Sequence, residues 1–235
     1  LWRLPDRMRI ATLPSVNQLV ISADGTTVAG CCSPVEVWDS NGVRKLSVDS
    51  AALSGGPVNI ALTSDGKRLA IGFEGRRGPG FAVWDVDAGQ SLFRREIDLS
   101  GNAPSLAFAP NGDLAVTMRT TIELLRSGST EITALVNRTD GLVTLAYSPD
   151  GRYLAWSTTS SISVYDFTKG AEVAQLKASS GDSPGGGVDR LFFSADSEYL
   201  GGVGDVNTST VWRAPNWREV LAPRHAEFCK INTMA

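Results

Sequence analysis

Histidine is almost missing from this sequence: His225 is the single one in 235 residues. Chemistry that needs imidazole as a base or a metal ligand has only that residue to draw on. Cysteine is nearly as scarce. Cys31 and Cys32 are adjacent and Cys229 is distant, a spacing that fits neither a disulfide framework nor a zinc motif. They read as packed thiols, which points to a reducing compartment and a cytoplasmic location. No apolar run reaches the roughly 18 residues needed to cross a bilayer, and no signal peptide is visible. Charge of one sign is also lacking. With 22 basic and 25 acidic residues the formal net charge is -3, too weak a field to predict binding to nucleic acid or an anionic membrane. H-E-x-x-H, a Walker loop and paired-cysteine zinc patterns are absent, so no metal and no cofactor are expected.

What the chain has is glycine, 24 of them, together with six tryptophans spread along its length. It also repeats. "ISADGTTVAG", "LTSDGKRLAI", "FAPNGDLAVT", "YSPDGRYLAW" and "FSADSEYLGG" are five versions of one phrase, with turn positions at Asp24, Asp65, Asn111, Asp150 and Asp196. A second phrase follows each: "VEVWDS", "FAVWDV", "IELLRS", "ISVYDF" and "STVWRA". Its bulky position falls at Trp38, Trp84, Leu125, Tyr165 and Trp212. Self-similarity at a period of about 40 residues is the signature of repeat architecture.

The first phrase predicts a tight hairpin, because Asp-Gly between apolar runs supplies the positive φ a short turn needs. Asn111 is expected to tolerate a left-handed backbone. Ser197 stands where the other copies have glycine, so its turn is expected to differ or to carry about 1 kcal/mol of strain. Before each turn apolar residues alternate with period two, and the intervening position (Val20, Ala61, Ala107, Ala146, Phe192) is apolar as well. That pattern predicts strands covered on both faces. After each turn a large apolar residue precedes a small one, as in Leu69-Ala70 and Leu200-Gly201, which predicts a second strand open to close approach. The "VWD" phrase is a third strand. "RKLSV", "LFRREI", "EITALV", "EVAQLKA" and "REVLAP" give a fourth. Four antiparallel strands per repeat is the unit of a β-propeller blade.

Through "SPDGRYLAW", "ISVYDF" and "FAVWDVDAGQ" the chain resembles the WD40-repeat family over nearly its whole length, in a divergent style similar to bacterial members. The resemblance implies an all-β, WD40-like β-propeller with five recognisable blades and partial blade segments at both ends. The blades fall at 15–48, 57–97, 104–136, 141–178 and 188–223. Residues 1–14 would end a preceding blade, and 224–235 would start a next one or form a tail. Leu1-Trp2-Arg3 aligns with Val211-Trp212-Arg213, so Trp2 is expected to pack as Trp212 does. There is no Gly-His pair ahead of the first strands, so the Asp-His-Ser/Thr-Trp network of many WD40 blades cannot be built. Asp39, Asp85 and Asp166 keep the aspartate after the bulky residue, while Arg126 and Arg213 replace it.

Function is expected in the loops, which a rigid scaffold leaves free to vary. "FEGRRGPGF" places Arg76 and Arg77 between glycines, a candidate site for an anion or an acidic peptide. It is no dinucleotide fingerprint, since it joins two strands and opens no helix. Arg119, Asp205 and Asn207 fall near loops between second and third strands, which by the resemblance line one mouth of the propeller where partners dock. Gly181-Asp182-Ser183-Pro184-Gly185 satisfies G-x-S-x-G, but strands flank it on both sides where a nucleophile elbow needs strand, turn and helix. Asn137-Arg138-Thr139 and Asn207-Thr208-Ser209 match the glycosylation sequon by composition only. The resemblance implies a non-enzymatic scaffold or sensor that binds a protein or peptide, as part of a longer multidomain signalling or defence protein. A purely architectural subunit of a large assembly is the alternative, and a propeller hydrolase is a more distant one.

Overall fold

Apolar residues alternating with period two, interrupted by Asp-Gly and Asn-Gly turns, leave the chain little choice but antiparallel pairing. The computed structural model is all-β, built of five four-stranded antiparallel sheets with one short helix. It describes Trp2–Arg3, Met8–Arg9 and residues 16–31, 33–97, 102–118, 120–137, 141–177, 188–204 and 209–221. Near the start, β1 (Trp2–Arg3) pairs with β2 (Met8–Arg9). The first sheet is β3 (Gln18–Ile21), β4 (Thr27–Cys31), β5 (Val35–Asp39) and β6 (Arg44–Val48). After helix α1 (Ser50–Leu53) come β7 (Gly55–Leu62), β8 (Arg68–Gly75), β9 (Gly78–Asp85) and β10 (Gln90–Glu96). The third sheet is β11 (Leu106–Phe108), β12 (Leu114–Met118), β13 (Thr121–Leu125) and β14 (Ile132–Asn137). The fourth is β15 (Leu142–Tyr147), β16 (Tyr153–Thr158), β17 (Ile162–Asp166) and β18 (Ala171–Leu176). The fifth is β19 (Val188–Phe193), β20 (Tyr199–Gly204), β21 (Ser209–Arg213) and β22 (Arg218–Leu221).

Every sheet keeps the order of the chain, so strands adjacent in sequence are hydrogen-bonded neighbours. A β-bulge interrupts all five pairings of third with fourth strand, as between Val37 and Trp38 or Val164 and Tyr165. The side chain of Trp2, on which its expected packing rests, and residues 224–235 lie outside what the structure describes.

Two compact units divide the chain, Leu1–Phe108 and Ala109–Ala235. In the first, Leu53, Leu69, Ile71 and Phe73 are fully enclosed and pack with Val37, Ile60 and Ala82. In the second, Ile162, Val164 and Leu200 are buried with Trp212 and Trp217. The small residue expected after the second-strand turn has a visible reason at Gly201. A Cβ there would meet the Phe192 ring of the facing strand at 2.2 Å. The first strands depart from expectation in β3, where Val20 turns to the core while Leu19 and Ile21 stand exposed, and in β19, where Phe192 is half exposed. In its own unit β3 has the β7 sheet as its neighbour on one side. The pleat sends alternate side chains the other way, where they stay partly open to solvent.

The turns are built alike, but not as two-residue hairpins. In the first copy the Gly25 amide donates to the Ser22 carbonyl (2.9 Å), and the Ser22 amide donates to Thr27 across a four-residue loop (2.9 Å). Positive φ falls on the last turn residue in all five copies: Gly25 at 70°, Gly66 at 65°, Gly112 at 85°, Gly151 at 73° and Ser197 at 62°. Asn111, which could tolerate a left-handed backbone, leaves that conformation to Gly112. Its side chain serves instead, its Oδ1 accepting the Asp113 amide at 3.0 Å. In the other four copies a hydroxyl three residues before the positive-φ position donates to the turn aspartate and accepts the amide of the next strand. Ser22 binds Asp24 (2.6 Å) and the Thr27 amide (3.0 Å), and Thr63 binds Asp65 (2.6 Å) and the Arg68 amide (3.0 Å). Ser148 and Ser194 do the same for Asp150 with Tyr153, and for Asp196 with Tyr199.

Ser197 is strained as expected, and it compensates. Its hydroxyl accepts the Asp150 amide of the preceding sheet's turn at 3.1 Å. Ser197→Ala keeps the strain and loses the bond, so it should cost about 1 kcal/mol in urea unfolding. Ser197→Gly loses the bond but relieves the left-handed backbone, so the two effects should cancel to within about 0.5 kcal/mol. Equal losses in both variants would show that the hydroxyl alone matters.

Candidate functional site

Among the described residues, the loop that joins β8 to β9 stands apart in carrying two adjacent arginines. Gly75 pairs directly with Gly78, so Arg76 and Arg77 form a two-residue tip. Both arginines are exposed, and neither makes an ion pair or hydrogen bond among the described residues. The tip overlooks a cleft of about 750 Å³ lined by Ser50, Ser54, Gly56, Glu74, Arg76 and Arg77, among others. That size lies within the range of about 300–1,000 Å³ typical of ligand sites.

Helix α1 forms one wall of this cleft. Asp49 caps its start by accepting the Ala52 amide at 2.8 Å, and Ser54 ends it in a left-handed turn with φ 57°. Arg94 reaches over from β10 and donates to the carbonyls of Ala52 and Leu53 (2.9 Å for Leu53), satisfying helix-end acceptors. Its guanidinium lies 5.3 Å from the centre of the enclosed Phe73 ring and donates to Glu96 at 2.7 Å. The floor is close-packed backbone. A Cβ on Gly55 would sit 2.2 Å from the Glu74 carbonyl oxygen, so only glycine permits this approach. The two acids at the rim are engaged, Glu96 by Arg94 and Glu74 by the Ala103 amide at 3.2 Å.

Elsewhere the charged groups hold the frame. Asp166 is 1% exposed and accepts both a forked contact from Arg152 (3.2 and 2.9 Å) and the Thr168 amide (2.9 Å). Burial pushes its carboxyl up, but Arg152 and Thr168 outweigh this and hold it at about 2. In the third sheet the signs are exchanged: Arg126 stands at the corresponding place and pairs with Asp113 at 2.7 Å. Asp113 then accepts the Ser127 amide at 2.8 Å, so the next turn is still capped by a carboxylate. Burial raises the Asp113 carboxyl, and the Ser127 amide and Arg126 bring it below its ordinary value. In the fifth sheet Arg213 pairs with Glu198 at 3.1 Å in the same exchanged sense. Burial raises the Tyr147 hydroxyl well above its usual range, with the Asp113 charge adding to the effect. The turn carboxyls of Asp24, Asp65 and Asp196 are lowered first by the hydroxyl three residues before the positive-φ position.

Of the five site residues expected from the sequence, the structure brings Arg76 and Arg77 together at the cleft. Arg119, Asp205 and Asn207 lie outside the described residues, as do Gly181 to Gly185 and His225. Sequence reasoning missed the helical wall, which Asp49 ahead of Ser50-Ala51-Ala52-Leu53 signals as an N-cap before helix formers. It also missed Arg94 and the open floor. Among the described residues no three histidine, cysteine or acidic side chains converge as a metal site, and no helix is long and apolar enough to cross a membrane.

No family model matches the chain, and no curated protein matches it in sequence. In structure, 1412 chains match it. One is from Kuenenia stuttgartiensis hydrazine synthase, with a TM-score of 0.67 and 18% sequence identity, covering 91% of this chain and 67% of that one. At that identity the likeness is one of fold.

Proposed function

We propose that the chain is a WD40-like β-propeller with five blades, working as a non-enzymatic interaction scaffold within a longer multidomain protein. The observation that carries this reading is the division of labour among its charges. In the repeated four-stranded unit, turn carboxylates and cross-strand ion pairs are spent on holding strands and turns. The Arg76-Arg77 tip, without an ion pair among the described residues, and its cleft stand outside that pattern. A repeated frame that carries a divergent charged loop suits recognition by loop side chains.

The test is site-specific cross-linking in cells of the source organism. A photo-reactive residue at position 77 should yield one recurrent protein adduct. The same residue at position 88, in the turn at the other end of β9, should not. Equal adducts from both positions, or none from position 77, would remove the scaffold reading from this loop.

A further inference from the structure

We infer that the cleft beside the Arg76-Arg77 tip takes an acidic peptide segment in extended form, with its carboxylates on the two guanidiniums; this rests on the scaffold reading above. Three features of the cleft point to such a ligand. The first is charge. Arg44, Arg94, Arg126, Arg152 and Arg213 each sit on a carboxylate of this chain, whereas Arg76 and Arg77, side by side at one tip, have none among the described residues. Of the rim acids, Glu96 is balanced by Arg94, while Glu74 keeps its charge and accepts only a backbone amide, so three guanidiniums face two carboxylates and the excess positive charge lies at the tip. Two adjacent planar forks with open donors match carboxylate oxygens.

The second feature is the floor. Gly55 is glycine because strand packing demands it, but Gly56 is not. A Cβ built on Gly56 meets nothing within 4 Å, and its backbone is not left-handed. Neither packing nor torsion requires glycine at this cleft-lining position. What its missing side chain leaves is room for a main chain to lie against the strand. The third feature is the lining. Serines, glycines and one alanine accompany the charged residues, with no large apolar side chain among them. An aromatic or aliphatic anchor would find no pocket here, whereas an extended polar chain would find backbone and hydroxyl partners.

The probe is a fluorescein-labelled hexaglutamate peptide, read by anisotropy against the full chain, with a hexaserine peptide and a phosphoserine-containing peptide beside it. Hexaglutamate should bind at low salt and weaken as salt screens the pair, while hexaserine should not bind. Arg76→Glu with Arg77→Glu should weaken hexaglutamate binding at least tenfold. Gly56→Leu should weaken it several-fold by filling the floor, with an unchanged thermal melt. If the wild type fails to bind hexaglutamate, or if the double arginine variant binds it equally well, the inference is wrong. Tenfold tighter binding of the phosphoserine peptide at the same arginines would also overturn it in favour of phosphate recognition. None of these outcomes touches the scaffold reading, which stands or falls with the cross-link at position 77.

Discussion

Phe73→Ala should cost about 4 kcal/mol of unfolding free energy and lower the melting temperature by roughly 10 °C. Phe73 is fully enclosed near the end of β8, packed with Leu53, Leu69 and Ile71. Its ring fills the space a side chain on Gly80 would occupy, the Cβ there lying 2.6 Å from a ring carbon. The facing strand thus has a glycine shaped to this ring, and no side chain of its own to fill the hole. Collapse is therefore limited, which puts the cost in the upper part of the range for phenylalanine truncation. The exposed Leu92 is the control: Leu92→Ala should stay within about 0.5 kcal/mol. Urea unfolding of the three proteins measures both. A loss below about 2 kcal/mol would mean that the hole closes and that the packing argument fails.

The same substitution should reach the cleft. Arg94 lies against the Phe73 ring while it donates to the last carbonyls of α1. Without the ring, the guanidinium loses the surface that orients it. Amide exchange over residues 50–56 should then accelerate more than over β4, because a four-residue helix has little stability of its own.

Much of the frame was legible because it rests on local chemistry repeated five times. Asp-Gly and Asn-Gly turns, period-two strands and a bulky third-strand residue need only neighbours in sequence, and their repetition removes the ambiguity of any single copy. The rest was hidden where a side chain and a backbone could serve the same turn, or where contacts were long-range. Asn111 could supply a bend either through its backbone or through its amide oxygen, and composition does not distinguish the two. The exposure of Leu19 and Ile21 depends on what lies beside β3, which its own alternation does not carry. The cleft was half visible. Arg76 and Arg77 announce themselves as adjacent charges between glycines, but Arg94 joins α1 across about forty residues. The open space over Gly56 exists only once β7 and β8 are paired. One long-range feature was in the letters all along: Arg126 and Arg213 replace the expected aspartate, and Asp113 and Glu198 replace the basic or neutral residue two places after the turn position.

That exchange sets the other large effect. Asp166→Ala should cost about 2 kcal/mol, since it removes the Arg152 fork and uncaps the Thr168 turn together. The loss falls short of that for a fully buried pair because Arg152 is 40% exposed and can turn to water. Arg152→Ala should lose less, and the two losses should be less than additive. Asp166→Arg should be the worst of the set, because it sets two guanidiniums against each other. Adding Arg152→Asp should recover most of the stability, since this is the polarity in which Asp113 and Arg126 already work. Asp113 shows that a carboxylate on the second strand can still cap the following turn, through the Ser127 amide. The pH dependence carries the same sign. Asp166 is held at about 2 in the folded chain against an ordinary 3.8, so its contribution is complete above about pH 4 and disappears as the pH falls towards 2. Asp166→Asn should flatten that part of the acid limb. If Arg152→Asp with Asp166→Arg is as unstable as Asp166→Arg alone, the exchanged signs in the third and fifth sheets are not interchangeable solutions to one problem, and each sheet has fixed its polarity through its own surroundings.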